Sequence, residues 1–254
     1  MKRLVVGNLK SSLVSRGDRN DYVREFVDLF GDDIVSRVDV VVCPPSVYLE
    51  SFIDVLSSHV SLGAQQIFWD DHVSRTGAVS PPVLRDFGVS YVIVGHSEQR
   101  AFMHVTKEDI QKQFLLALSF GMVPILCIGE SRDEHQQGRS GDVLTQQLLD
   151  VFSSLVLSSD VQFVVAYEPV WAVGTDDVPS AESVSIARRS IQRFLCSQFG
   201  DDCLDRVSIL YGGSVDAGRV ASLCGESGVD GVLVGRASWN PQSFFDLVRA
   251  VSEL

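Results

Sequence analysis

Eight short apolar runs of strand length, at residues 4–7, 38–43, 60–64, 91–95, 123–128, 163–167, 207–211 and 231–234, set the tightest limit on what this chain can fold into. Between them lie segments whose apolar residues recur at helical spacing. Tyr22, Phe26, Leu29 and Phe30 form one such face, Ile110, Phe114 and Leu118 another, and residues 242–254 read as the last helix. Strand and helix alternate from end to end, an order that requires right-handed crossovers between parallel strands. Eight such units in 254 residues predict a single domain, a closed (β/α)8 barrel. An open doubly wound sheet shares the periodicity, which by itself does not show closure.

With 45% hydrophobic residues, 20 Gly and only 8 Pro, the chain has material for a sizeable core and no low-complexity tract. A formal charge of −12 argues against nucleic acid or an anionic membrane surface as partner, so an anionic ligand must be held by local donors. Lysine occurs only at Lys2, Lys10, Lys107 and Lys112. The cysteines (Cys43, Cys127, Cys196, Cys203, Cys224) are scattered without a C-x-x-C pair, as expected of reduced, mostly buried thiols in a cytoplasmic protein. The opening Met-Lys-Arg-Leu-Val-Val-Gly-Asn has too short an apolar run for a secretory signal. No stretch approaches a membrane span, so a soluble protein is expected.

One run ends in chemistry. Val-Val-Ala-Tyr at 164–167 leads into a single carboxylate, Glu168, and then into Pro169, whose fixed φ takes the chain out of the sheet. Small residues follow, up to Gly174 and Thr175, as in a mobile loop beside an acid. A lone Glu-Pro pair is also what a capped surface turn looks like, so the other strand ends must decide. They carry Asn8 and Lys10, then Gly95-His96-Ser97-Glu98, Gly129-Glu130, Gly212-Gly213-Ser214 and Gly235-Arg236-Ala237-Ser238. In a barrel all of these fall on one face, where two carboxylates, a histidine, a lysine and two turns with exposed backbone N–H groups would meet.

These residues resemble the triosephosphate isomerase family. The matching stretches are Gly7-Asn8-Leu9-Lys10, Gly63-Ala64-Gln65, Thr76-Gly77, Gly95-His96-Ser97-Glu98, Cys127-Ile128-Gly129-Glu130, Tyr167-Glu168-Pro169-Val170-Trp171-Ala172, Tyr211-Gly212-Gly213-Ser214 and Asp230-Gly231, in family order over nearly the whole chain. The resemblance implies a (β/α)8 homodimer, no cofactor and no metal. It makes Glu168 the base that shuttles a proton between adjacent carbons and His96 a neutral electrophile at a helix start. Asn8 and Lys10 become donors to the substrate, with Glu98 holding Lys10. Backbone N–H groups of Gly174, Ser214, Gly235 and Arg236 become the phosphate site. Residues 169–179 would close as a lid, latched by Tyr211 and Ser214. The segment between Gln66 and Gly77, with Ile67, Phe68, Trp69 and Val73, would insert into a second subunit with Thr76 at its tip. Glu130 reads as a structural acid and Cys127 as a packed thiol, while His59, His72, His104 and His135 read as ordinary residues without metal-like spacing.

The sequence departs from the family pattern around the phosphate end. Gly235-Arg236 stands for a glycine pair, Asp176-Asp177-Val178-Pro179 for a small polar hinge, Trp239 for a smaller residue, Leu9 for a tryptophan and Gln99 for an arginine. The Gly-Arg-x-x-Trp ending, the proline in the loop and Trp69 are similar to the erythrulose-phosphate isomerases, which act on four-carbon ketose phosphates. That reading stands beside the three-carbon one. A barrel kept only for binding is a third reading, and the intact set Asn8, Lys10, His96 and Glu168 argues against it. The two lid aspartates are expected to point into solvent, and the lid to pivot before Val178, because proline fixes its own φ and restricts the residue before it.

Overall fold

The computed structural model describes residues 2–30, 37–53, 56, 60–71, 74–153, 155, 161–175 and 177–254. His59, His72, Val73 and Asp176 lie outside the described residues. Eight parallel strands form a closed barrel in chain order: β1 Arg3–Asn8, β2 Val38–Cys43, β3 Val60–Ala64, β4 Tyr91–Val94, β5 Val123–Ile128, β6 Phe163–Tyr167, β7 Val207–Tyr211 and β8 Gly231–Val234. Closure is made by β1 against β8, with Leu4 opposite Gly231 and Gly7 opposite Val234, which removes the open-sheet alternative. The apolar runs are the strands almost residue for residue. β1 gains Arg3 and Asn8, and β4 stops at Val94 because Gly95, at φ 70°, turns left-handed out of the sheet.

Side-chain alternation divides the core into two shells. Val6, Cys43, Ile93, Ile125, Cys127 and Leu210 belong to a cluster that fills the barrel. Val5, Val40, Val92, Leu126, Val165 and Val232 face outward and pack beneath the helices. Both faces of each strand are therefore dry, which is why the strands read as continuous apolar runs rather than alternating ones. The two thiols inside the barrel are packing atoms, and Gly63 makes room for one of them: a Cβ there would lie 2.4 Å from Cys43 Sγ.

Helix starts are set by short polar side chains. Ser15, Thr106, Ser131, Ser180, Asp216 and Asn240 each accept a bond from the backbone N–H three residues on. Each such cap contributes about 1 kcal/mol, and together they fix where the loops end. The last helix is Pro241–Ser252, starting one residue earlier and ending two earlier than its periodicity predicts, since proline suits a first turn. Its Phe244 packs 5.6 Å from Phe30, which in turn stacks 4.0 Å from Phe26 of the helix Arg16–Leu29, so the outer layer closes where the barrel does. Among the described residues no helix is long and apolar enough to cross a membrane.

Candidate active site

The residues predicted from strand ends converge on one cavity of about 790 Å3, lined among others by Asn8, Lys10, His96, Glu98, Glu168, Gly174, Ser214, Gly235 and Arg236. Lys10 sits in a left-handed conformation at φ 48°, unusual for a side chain of its size. Asn8 Oδ1 accepts from the Lys10 N–H at 3.0 Å, and Gln65 Nε2 donates to the Lys10 carbonyl at 2.8 Å, so both of its backbone groups are tied. The surroundings thus over-determine a conformation the residue would not choose alone. Lys10 Nζ meets Glu98 Oε1 at 2.6 Å. With Glu98 45% exposed, this ion pair adds only about 0.2–1 kcal/mol to stability, so its consequence is the position of the ammonium.

His96 caps the two-turn helix Ser97–Phe102. Its Nδ1 accepts from the Glu98 N–H at 3.2 Å, and a ring nitrogen that accepts carries no proton. The ring proton then sits on Nε2, which faces Glu168 Oε1 at 3.5 Å. Gln99 completes the cap: its Oε1 accepts from the His96 N–H and its Nε2 donates to the Gln65 carbonyl. One amide side chain therefore links the loop that carries His96 to the glutamine that holds Lys10.

Glu168 follows β6 directly and is only 2% exposed. Its N–H donates to Ile128 O at 2.7 Å, and two glycines make room around it: a Cβ on Gly129 would lie 1.8 Å from its carbonyl oxygen, one on Gly212 2.5 Å from its Cγ. Among the described residues Oε2 has no hydrogen-bond partner. An unsatisfied buried acceptor costs about 1–3 kcal/mol, and a catalytic role is one reason for a protein to keep such a group. Behind it the Cys127 thiol is held protonated, by burial first and then by the Glu168 charge.

The match to known proteins is as extensive as the geometry. A family model described as triosephosphate isomerase matches residues 3–251. Proteins named triosephosphate isomerase are similar along most of their length: that of Dictyoglomus thermophilum is 31% identical, covering 98% of this chain and 100% of its own, and that of Carboxydothermus hydrogenoformans 38% identical, covering 90% of each. That of Solibacter usitatus is 39% identical over 84% of this chain and 86% of its own. The chain belongs to the triosephosphate isomerase family.

Where it departs from the family's usual residues, new contacts appear. The φ of Arg236 is not positive, and the residue opens a 3-10 turn with Gly235 as its cap on the wall of the cavity. A Cβ on Gly235 would lie 3.3 Å from Lys10 Cε, so the lysine stem runs against this loop. The Arg236 Nη2 donates to Thr175 O at 2.9 Å and to Ser214 Oγ at 3.3 Å. Tyr211, expected as a latch, is fully buried, and its hydroxyl has no partner among the described residues; burial also holds that phenol protonated. The lid's link to loop seven runs through Arg236, with Ser214 as acceptor.

The lid's other flank was not legible in the sequence. Arg132 Nη2 donates to Asp177 Oδ2 at 2.5 Å and to Trp171 O at 3.3 Å, and its guanidinium lies 5.8 Å from the Trp171 ring centroid. Asp177 therefore pairs with a cation instead of pointing only into solvent. Glu130 is fully buried and accepts from Tyr167 OH at 3.1 Å and Trp171 Nε1 at 3.0 Å, as a structural acid should. The ring of His135 packs 4.7 Å from Trp171, with Nδ1 3.4 Å from Glu130 Oε1. Arg100 was also missed: it donates from Nε to Gly95 O and from Nη2 to Cys127 O, bracing the His96 loop against β5.

Proposed function

We propose that this protein interconverts dihydroxyacetone phosphate and D-glyceraldehyde 3-phosphate through an enediolate. The observation that carries the proposal is the buried Glu168 carboxylate in the cavity wall with His96 Nε2 3.5 Å from its Oε1. Glu168 takes the proton from the carbon next to the carbonyl and returns it to the neighbouring carbon. His96 donates from Nε2 to the oxygens on which negative charge develops, and Lys10 and Asn8 add positive charge and a further donor. Backbone N–H groups of Gly174, Ser214, Gly235 and Arg236 receive the phosphate. The lid, residues 169–179, keeps out water and so keeps the enediolate from expelling its phosphate.

The decisive measurement compares kcat/KM on glyceraldehyde 3-phosphate with that on the two erythrulose phosphates, side by side. The three-carbon substrate is expected to lead, and a preference for either four-carbon ketose phosphate would overturn the assignment. Deuterium uptake beside the carbonyl of dihydroxyacetone phosphate tests catalysis itself, since a barrel that only binds would exchange nothing.

The protein is proposed to act as a homodimer in the cytoplasm, as one domain. Support for a second subunit comes from apolar side chains left exposed on the loops after β1, β2 and β4: Val14 (83%), Val47 (81%), Phe102 (79%) and Met103 (63%). The 66–77 segment follows β3, between β2 and β4 in the barrel; its Trp69 is 37% exposed and packs tilted on Phe68 at 4.5 Å, while Ile67 is buried in its own chain. Thr76 lies exposed beside Gly77, which turns at φ 81°. Sedimentation at micromolar concentration is expected to give twice the mass of one chain, and a species of one chain's mass alone would refute the dimer. The compartment is supported by cysteines that are all free, four of them buried.

A further inference from the structure

We infer that the Arg236 side chain is a positioning residue, a clasp that ties the lid to loop seven before any substrate arrives. The inference rests on the lid and phosphate site proposed above, but it assigns the guanidinium a task separate from that of the Arg236 backbone. One terminal nitrogen, with two hydrogens, reaches two acceptors on two different loops: the Thr175 carbonyl on the lid at 2.9 Å and Ser214 Oγ at 3.3 Å. Among the described residues, Thr175 is otherwise held within its own loop, its hydroxyl donating to Trp171 O at 3.1 Å and accepting from the Asp177 N–H at 3.2 Å. The lid's base is fastened on the opposite flank by Arg132 through Trp171 O and Asp177. Arg236 thus fastens the tip, next to Gly174, where φ of 71° marks the point at which the lid backbone turns.

The consequence is a lid whose resting position is biased by a charged donor standing at the rim of the phosphate site. A carbonyl held by a guanidinium is bonded more strongly than one held by water or a neutral donor. Because Ser214 anchors the clasp through Oγ and belongs to the phosphate site through its backbone N–H, binding of the phosphate and seating of the lid act on the same residue. Losing the clasp should therefore loosen the empty lid, and it should let more of the enediolate lose phosphate: the carbon–oxygen bond breaks, inorganic phosphate leaves with the electron pair, and the remaining enol becomes methylglyoxal.

The test is Arg236→Ala, compared with the unaltered protein by hydrogen exchange without ligand and by phosphate release during turnover. Amide exchange in the 172–175 stretch is expected to rise about tenfold, the loss of one charge-assisted hydrogen bond at the low end of its range, with the helix Lys107–Ser119 unchanged. The share of turnovers ending in inorganic phosphate is expected to rise by a similar factor. Lid exchange equal to that of the unaltered protein would overturn the clasp, because a guanidinium serving only as charge for the substrate has no effect on an empty site. A uniform rise that includes the Lys107–Ser119 helix would overturn it equally, since it would mean general loosening. Exchange needs no turnover, so an unaltered protein without isomerase activity refutes the proposed reaction and leaves the clasp to be judged on the lid alone.

Discussion

Glu168→Asp is expected to lower kcat by at least about 10²-fold while leaving the fold and KM largely intact, because retracting the carboxylate by one methylene takes it out of reach of the carbon it must deprotonate. Glu168→Gln, which keeps the length and removes the basic oxygen, should cost about 10³-fold, within the range general for a lost base. Glu168 is sealed between β5 and β7: its N–H bonds to Ile128 O, and the Gly212 N–H bonds to Tyr167 O at 2.7 Å. The shorter side chain therefore cannot be rescued by a backbone shift. Both variants should still fold, Glu168→Asp at a cost of about 0.5–1.5 kcal/mol for the buried methylene it loses. Steady-state kinetics on both triose phosphates with a melting curve for each protein checks this, and a well-folded Glu168→Asp variant turning over at the original rate would remove Glu168 from the role of base.

The second large effect needs no change in any reacting group. Gly212→Ala places a methyl 2.5 Å from Glu168 Cγ and 3.2 Å from Oε1, closer than non-bonded atoms allow. The carboxylate is the partner that must move, because the three atoms nearest that methyl all belong to the Glu168 side chain. A displacement near 1 Å is worth about 10²-fold in rate when the reacting atoms are already aligned. Loss of kcat by roughly that factor is expected, with KM nearly unchanged because the proposed phosphate donors at Ser214, Gly235 and Arg236 are not altered. The double variant Gly212→Ala with Glu168→Asp should be less impaired than the product of the single losses, since both act on one carboxylate. Full activity in Gly212→Ala would mean that the carboxylate is not held where it acts.

Much of this could be read without coordinates, for an identifiable reason. Parallel strands covered by helices on one side and a filled barrel on the other must be apolar on both faces, so each of the eight announces itself as a short run. Chain order then fixes which ends share a face, and Asn8, Lys10, His96 and Glu168 follow from that. Packing glycines were visible as letters but not as causes: that Gly129 and Gly212 exist to admit Glu168 depends on atoms from three strands.

The sequence alone determined the eight alternating strand–helix units, the strand boundaries to within a residue, the face that carries the site and the polar residues on it, because these depend on local hydrophobicity and on chain order. Only the tertiary structure decided closure between β1 and β8, the tautomer of His96, the strapping of Lys10 by Asn8 and Gln65, and the contacts of the lid. Arg132 meets Asp177 across 45 residues, and Arg236 meets Thr175 across 61. No periodicity in the chain encodes such pairs. They exist because barrel geometry brings the loops after β5, β6, β7 and β8 side by side, and the side chains then find whichever acceptors lie within reach.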